Sequence, residues 1–265
     1  MEEDKPVIEL RRLTKSFGTR RVLDDIDLAV APQKTTVIIG RSGTGKSVLL
    51  KHIVGLLRPD DGEVRFAGQR IDTLPERKLV PIRRQISFVF QLNALFDSLS
   101  VGQNVAFPMV ENSTGRVSRA RVAELARKSL DMVGLAGFED KRPAELSGGE
   151  KKRVALARAI ALDPPPRAIL YDEPTAGLDP PRADVINKLI RHLQREMRVT
   201  SIVVTHDMKS ASAVGDRILM LFDGRFIADG PPEELLRSRD AHVKNFVEGI
   251  AEPADLRSFL GSGAA

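Results

Sequence analysis

Val37-Ile38-Ile39 is a short, continuously apolar run that leads directly into Gly40-Arg41-Ser42-Gly43-Thr44-Gly45-Lys46-Ser47. A strand that is apolar at every position is buried on both faces, as in a parallel sheet. The loop after it fits G-x-x-x-x-G-K-[ST]. Beyond the loop, Leu49, Leu50, Ile53, Val54 and Leu57 fall at helical spacing. Strand, glycine loop and helix in that order distinguish a phosphate cradle from an ordinary glycine-rich turn. The glycines let backbone N–H groups curl around phosphate oxygens, and the helix adds the positive end of its dipole. Lys46 supplies a point charge for the β- and γ-phosphates, and Ser47 supplies a hydroxyl for Mg²⁺. The expectation is an α/β chain with a P-loop core that takes ATP and Mg²⁺. Read alone, the loop would serve many kinds of NTPase.

The rest of the chain fits that core. Val7 to Leu10, Ile26 to Val30 and Glu63 to Phe66 read as strands, and Ile86 to Phe90 is another that ends at Gln91. From there to about residue 160 the texture turns helical. Val122, Leu125, Ala126, Leu130 and Val133 make one apolar face, and Val154, Ala157, Ile160 and Ala161 make another. Strands then return at Ala168 to Tyr171 and at Ser201 to Thr205, which ends at His206. Between them, Asp179 can cap a helix with Pro180 at its first position. Its apolar face would carry Val185, Ile186, Leu189, Ile190, Leu193 and Met197. Ile218 to Ala228 reads as a hairpin turning on Asp223-Gly224. The tip of the tail, rich in small residues, is expected to be loose.

Asp172 and Glu173 follow an apolar strand. An acidic pair in that place is commonly a helix cap or a solvated turn. Beside a phosphate loop, Asp172 suits Mg²⁺, which prefers oxygen ligands, and Glu173 suits the attacking water. Leu146-Ser147-Gly148-Gly149-Glu150 opens a helix. Ser147 and Glu150 have the spacing of a capping box, while Ser147 with two glycine N–H groups could also hold an anion. The two readings are compatible. A Gly-Gly pair costs helix stability and asks for a reason such as close approach of a phosphate.

Composition bounds the partners. There is no cysteine, which excludes disulfides and thiolate metal sites. The net charge is +5, and the basic pairs, Arg11-Arg12, Arg20-Arg21 and Arg83-Arg84 among them, are scattered. They lack the aromatic interleaving of single-strand binders, so no nucleic acid is expected. The acidic start, Met1 to Pro6, does not read as a signal peptide. No apolar run approaches the roughly 20 residues that span a bilayer.

With these motifs in order, the chain resembles the nucleotide-binding subunit of ABC transporters over about residues 7 to 245. The resemblance makes Leu146 to Glu150 the signature motif, Gln91 the Q-loop, Ala176-Gly177-Leu178-Asp179 the D-loop and His206 the switch histidine. It implies a P-loop NTPase core with a mostly parallel sheet (7–91 and 161–235). An antiparallel β subdomain at its N-terminal end, an inserted helical subdomain (92–160) and a tail (246–265) complete the expected organisation. It implies a head-to-tail dimer in which each ATP lies between one copy's loop and the other's signature helix. Catalysis would fall to Glu173 and His206. ATP would be held by Phe17 (stacked on adenine), Gly40, Arg41, Ser42, Gly43, Thr44, Gly45, Lys46 and Ser47, with Ser147, Gly148 and Gly149 reaching the opposite subunit's ATP. Asp179 would serve the dimer, and Ser47, Gln91 and Asp172 the metal. The alternative for Phe17 is core packing. Two departures stand out: Glu150 where glutamine is typical, and Phe17 where tyrosine is.

Two stretches narrow the resemblance. Gly40 to His52 and Gln91 to Ser98, continuing through Asn104-Val105-Ala106-Phe107-Pro108, look like the ATPases of Mce-type lipid transport systems, including the Mla system. The alternative is that these residues merely pack the helical insertion. Lipid transport implies a separate permease, an Mce-type lipid-binding protein in the same complex, and a peripheral place on the cytoplasmic face of the inner membrane. Other readings are the ATPase of a polar-solute importer or an exporter, or a soluble ABC-type ATPase acting on nucleic acid or ribosomes. The last usually carries a coiled-coil insertion or a second cassette, and this chain shows neither. A small-molecule kinase would leave the signature motif and His206 unexplained.

Overall fold

The computed structural model describes residues 5–112 and 118–251. The expectations for the acidic start before residue 5 and for the tip of the tail lie outside them. In chain order the elements are β1 (Ile8–Phe17), β2 (Arg20–Val30), β3 (Thr35–Ile39), α1 (Lys46–Ile53), β4 (Asp61–Phe66), β5 (Gln69–Arg70), α2 (Glu76–Arg83) and β6 (Ile86–Val89). Then come α3 (Val101–Asn112), α4 (Arg119–Met132), α5 (Gly148–Ile160), β7 (Ala168–Asp172), α6 (Pro180–Met197), β8 (Thr200–Thr205) and α7 (Met208–Val214). The hairpin β9 (Arg217–Phe222) and β10 (Arg225–Gly230) precedes α8 (Pro232–Leu236) and α9 (Ala241–Glu248).

The strands form two sheets. One is antiparallel, in the order β2-β1-β4-β5. The other runs β10-β9-β3-β8-β7-β6 and is parallel except for β10. β3, β7 and β8 are buried along their whole length because each face of the parallel sheet carries a core. Val37, Ile39, Ile169, Tyr171 and Val203 point into the core beneath α5, α6 and α7. Ile38, Leu170, Ile202 and Val204 point into the core shared with α1 and the antiparallel sheet. This period of two explains a run with no polar break. It also brings the C-terminal ends of β3, β7 and β8 to one edge, where open α/β sheets bind ligands.

Two local expectations change. β1 continues well past Leu10, although Arg11-Arg12 interrupts its alternation. The pairing with β2 shifts between Leu10 and Leu13, with Arg12 at φ 49°, and this bulge returns Leu13 to the core. On α6, Ile186, Ile190 and Leu193 are buried, but Val185 is exposed because it lies one residue off that stripe. The hairpin turn forms as read, with Asp223 at φ 45° and Gly224 at φ 78°. At the C-terminal end, Val243 is fully buried, and Phe246 and Val247 pack on the same core.

Candidate nucleotide site

The glycine loop is pressed between two strands. A Cβ on Gly40 would stand 2.5 Å from the Leu221 carbonyl oxygen of β9, and one on Gly45 would stand 2.8 Å from Val22 Cγ1 of β2. Gly43 and Gly45 hold φ values of 78° and 105°, which side chains rarely adopt. Thr44 Oγ1 donates to the Arg41 carbonyl at 2.9 Å, and Arg20 Nη2 reaches from β2 to the Gly43 carbonyl at 3.2 Å. Nothing in the sequence marked Arg20, since one arginine in a basic pair gives no sign of where it will point.

Lys46 opens α1 and is nearly buried. Its Nζ donates to the carbonyls of Gly40 at 2.6 Å and Arg41 at 2.9 Å, and lies 3.8 Å from Glu173 Oε1. Burial pushes this ammonium down, while the carboxylates of Glu173 and Asp172 pull it back up. Ser47 Oγ donates to Asp172 Oδ1 at 2.8 Å. Burial pushes the Asp172 carboxyl up, the Ser47 bond opposes the rise, and the neighbouring Glu173 adds to it.

Glu173 sits at φ 49°, a conformation that costs a non-glycine residue about 1–3 kcal/mol and persists only where its surroundings fix it. Its N–H donates to the Val204 carbonyl of β8 at 3.0 Å. The carboxylate meets His206 Nδ1 at 2.9 Å and the His206 backbone N–H at 3.4 Å. His206 is fixed in turn at the junction of β8 and α7, where Asp207 accepts from the N–H groups of Lys209 and Ser210. The fold thus gathers Lys46, Ser47, Asp172, Glu173 and His206 from three chain segments.

Other sequence candidates lie outside this cluster. Phe17 ends β1 and is 47% exposed, with the Lys15 ammonium 5.6 Å from its ring centroid, so it is not a core residue. The Gln91 side chain is exposed, and its carbonyl accepts from Lys152 Nζ at 2.6 Å. Asp179 caps α6 by accepting from the Arg182 N–H at 3.0 Å. Ser147 caps α5, with Glu150 Oε2 accepting from the Ser147 N–H at 2.8 Å and from its hydroxyl at 2.7 Å. The capping box therefore forms with glutamate in the place of glutamine. A Cβ on Gly148 or Gly149 would meet Leu178 Cδ2 at 3.9 Å or Arg182 Cδ at 3.8 Å, so this second glycine pair lies against the start of α6.

Past Gln91, Asn104 is fully buried and satisfied. Its Oδ1 accepts from the Phe96 N–H at 2.8 Å, and its Nδ2 donates to the carbonyls of Phe96, Leu99 and Ser100. This one side chain sets the Phe96–Ser100 loop. Phe90, Leu92 and Phe96 remain exposed, and Phe90 and Phe96 line a cleft of about 330 Å³ together with Phe88, Phe107, Arg83 and Arg84.

The chain matches the ABC transporter family over residues 23–176. It is 41% identical over 246 residues to the intermembrane phospholipid transport system ATP-binding protein MlaF of Haemophilus influenzae, covering 93% of this chain and 92% of that one. It is 40% identical over 242 residues to the probable ribonucleotide transport ATP-binding protein mkl of Mycobacterium leprae, covering 91% of this chain and 69% of that one. Among solved structures, a dimeric ATP-binding cassette in a post-hydrolysis state, bound to ADP and Pi, superposes with a TM-score of 0.77 at 34% identity, covering 85% of this chain and 98% of that one. A glycine loop, buried acidic pair and histidine on one sheet edge, a glycine-opened helix outside it, and these likenesses agree: the chain belongs to the ABC transporter family as its ATP-binding cassette.

Proposed function

We propose that the chain is the ATP-hydrolysing subunit of an envelope system that moves phospholipid through a separate permease. The observation that carries hydrolysis is the carboxylate of Glu173, held between Lys46 and His206 beside the phosphate loop. Glu173 orients and deprotonates the attacking water. His206 fixes that carboxylate and meets the γ-phosphate. Lys46 exchanges its two loop carbonyls for phosphate oxygens, which return the charge that burial disfavours.

The Ser47 hydroxyl and Asp172 carboxylate, 2.8 Å apart, are hard oxygen donors that fit Mg²⁺. Gln91 is a third candidate. Mg²⁺ keeps several of its waters and binds phosphates, so a few protein oxygens suffice. When bound, Mg²⁺ supplies positive charge against the β- and γ-phosphates. Phe17 offers an exposed ring for adenine. Ser147, Gly148 and Gly149 close over the ATP of a second, head-to-tail copy, with Asp179 beside that interface. The ATPase domain spans residues 7–245, with a helical part at 92–160.

The likeness to MlaF supports phospholipid as the cargo, since it spans nearly the whole of both chains. The name of mkl favours a second reading, a system that moves ribonucleotides. No helix among the described residues is long and apolar enough to cross a membrane. The likeness to MlaF supports a place at the cytoplasmic face of the inner membrane, where a permease would hold the cassette. The exposed Phe90, Leu92 and Phe96 offer the docking surface. Affinity capture of the tagged chain from detergent-solubilised membranes tests this. The expected result is a permease together with an Mce-type lipid-binding protein. A permease recovered instead with a soluble solute-binding protein rejects lipid transport.

A further inference from the structure

Lys152, early in α5, is only 4% exposed, and its Nζ donates to the Gln91 carbonyl at 2.6 Å. Arg158 of the same helix donates to the carbonyls of Asn93 at 2.6 Å and Ala94 at 2.5 Å. The remaining carbonyl of the segment, that of Leu92, accepts from the Ala94 N–H at 2.7 Å. Every carbonyl from Gln91 to Ala94 is thereby engaged, three of them by cations from one helix. Asn93 and Ala94 sit at φ 63° and 49°, a pair of conformations that only an over-determined surrounding maintains. Burial pushes Lys152 and Arg158 below their usual ranges, so a neutral donor would hold these carbonyls with less desolvation. What a neutral donor would lack is the attraction of Glu173 and Asp172, which act on the Lys152 charge.

We propose that Lys152 and Arg158 are positioning residues that join the Gln91–Ala94 segment to the signature helix, so that the two move as one body. Nucleotide engaged near Gln91 in one copy then sets how Ser147 to Gly149 face the ATP of the other. The proposal rests on the ATP-sandwich reading above. Lys152 is the more informative half, because it alone touches the Gln91 backbone and feels the acidic pair.

The test uses the full chain carrying Lys152→Met, which keeps the stem and removes the donor, with Lys152→Arg and Arg158→Gln beside it. Fluorescent-ATP titration reads the loop, and ATP-driven dimerisation in a Glu173→Gln background reads the coupling. For Lys152→Met, nucleotide affinity should stay within about twofold, while the dimer dissociation constant rises about tenfold or more. Turnover should fall about tenfold at little-changed KM, and Lys152→Arg should restore most of both. Arg158→Gln should show the same split. Dimerisation and turnover equal to the parent's overturn the clamp, as does a parallel loss of nucleotide affinity and melting temperature. A Glu173→Gln chain that binds ATP yet never dimerises overturns the sandwich reading itself, and the clamp with it. Those outcomes are told apart by the parent alone.

Discussion

Replacing Gly40 by alanine would put a Cβ 2.5 Å from the Leu221 carbonyl oxygen, about an ångström inside ordinary contact. The obstacle is backbone of a strand already paired with β3, so no side chain can rotate away. Overpacking of this kind costs about 1–3 kcal/mol, and the upper half of that range applies where backbone must yield. For a chain of this size, each kcal/mol lowers the melting temperature by roughly 2–4 °C, giving an expected fall of about 5–10 °C. Gly43 supplies the comparison within the same loop. Its φ of 78° penalises alanine, but the added Cβ would meet no atom within 4 Å. Gly43→Ala should therefore cost only about 1 kcal/mol, or a few degrees. Differential scanning fluorimetry of both variants without nucleotide reads the contrast. Equal melting temperatures would refute the argument that close approach of β9, rather than backbone conformation alone, demands glycine at position 40.

Asp172→Asn should separate stability from activity. Its folded carboxyl is raised above the unfolded value, so the native state binds the extra proton between the two, and stability falls as pH rises through that window. Above it, asparagine removes the penalty. Melts from about pH 4 to 8 should show a flatter, more stable variant that has lost Mg²⁺-dependent hydrolysis; a variant less stable at neutral pH contradicts the sign. Val243→Ala in α9 should cost about 2 kcal/mol by urea denaturation, while exposed Val185→Ala should stay within about 0.5 kcal/mol. Equal effects would mean that α9 does not share the main core.

The sequence made the placing of the candidate site legible because each of its groups follows an apolar strand. Val37 to Ile39, Ala168 to Tyr171 and Ser201 to Thr205 can be read as buried strands, and Lys46, Asp172, Glu173 and His206 fall just past their ends. The capping box of Ser147 and Glu150 and the Asp223-Gly224 turn were legible for the same reason: they are local. Tertiary contacts were not. No spacing relates Lys152 to Gln91 or Arg20 to Gly43, because long flexible cations choose carbonyls only once the elements have docked. The bulge at Arg12 hid half of β1, since a shift in register breaks the alternation by which a strand is recognised. Asn104 lay in a stretch chosen for resemblance, but its work of fixing the loop at Phe96 became visible only through four hydrogen bonds.

The central claim is that one chain holds half a site and needs a second copy to close it. Light scattering of purified Glu173→Gln with and without Mg²⁺-ATP tests that claim most directly. Removing the Glu173 charge while keeping Lys46 and Ser47 should leave ATP bound and unhydrolysed. The expected result is a monomer without nucleotide and a stable dimer with it, lost again when Ser147 is also replaced by arginine. A chain that remains monomeric at saturating ATP, or that dimerises equally well without it, would contradict the account.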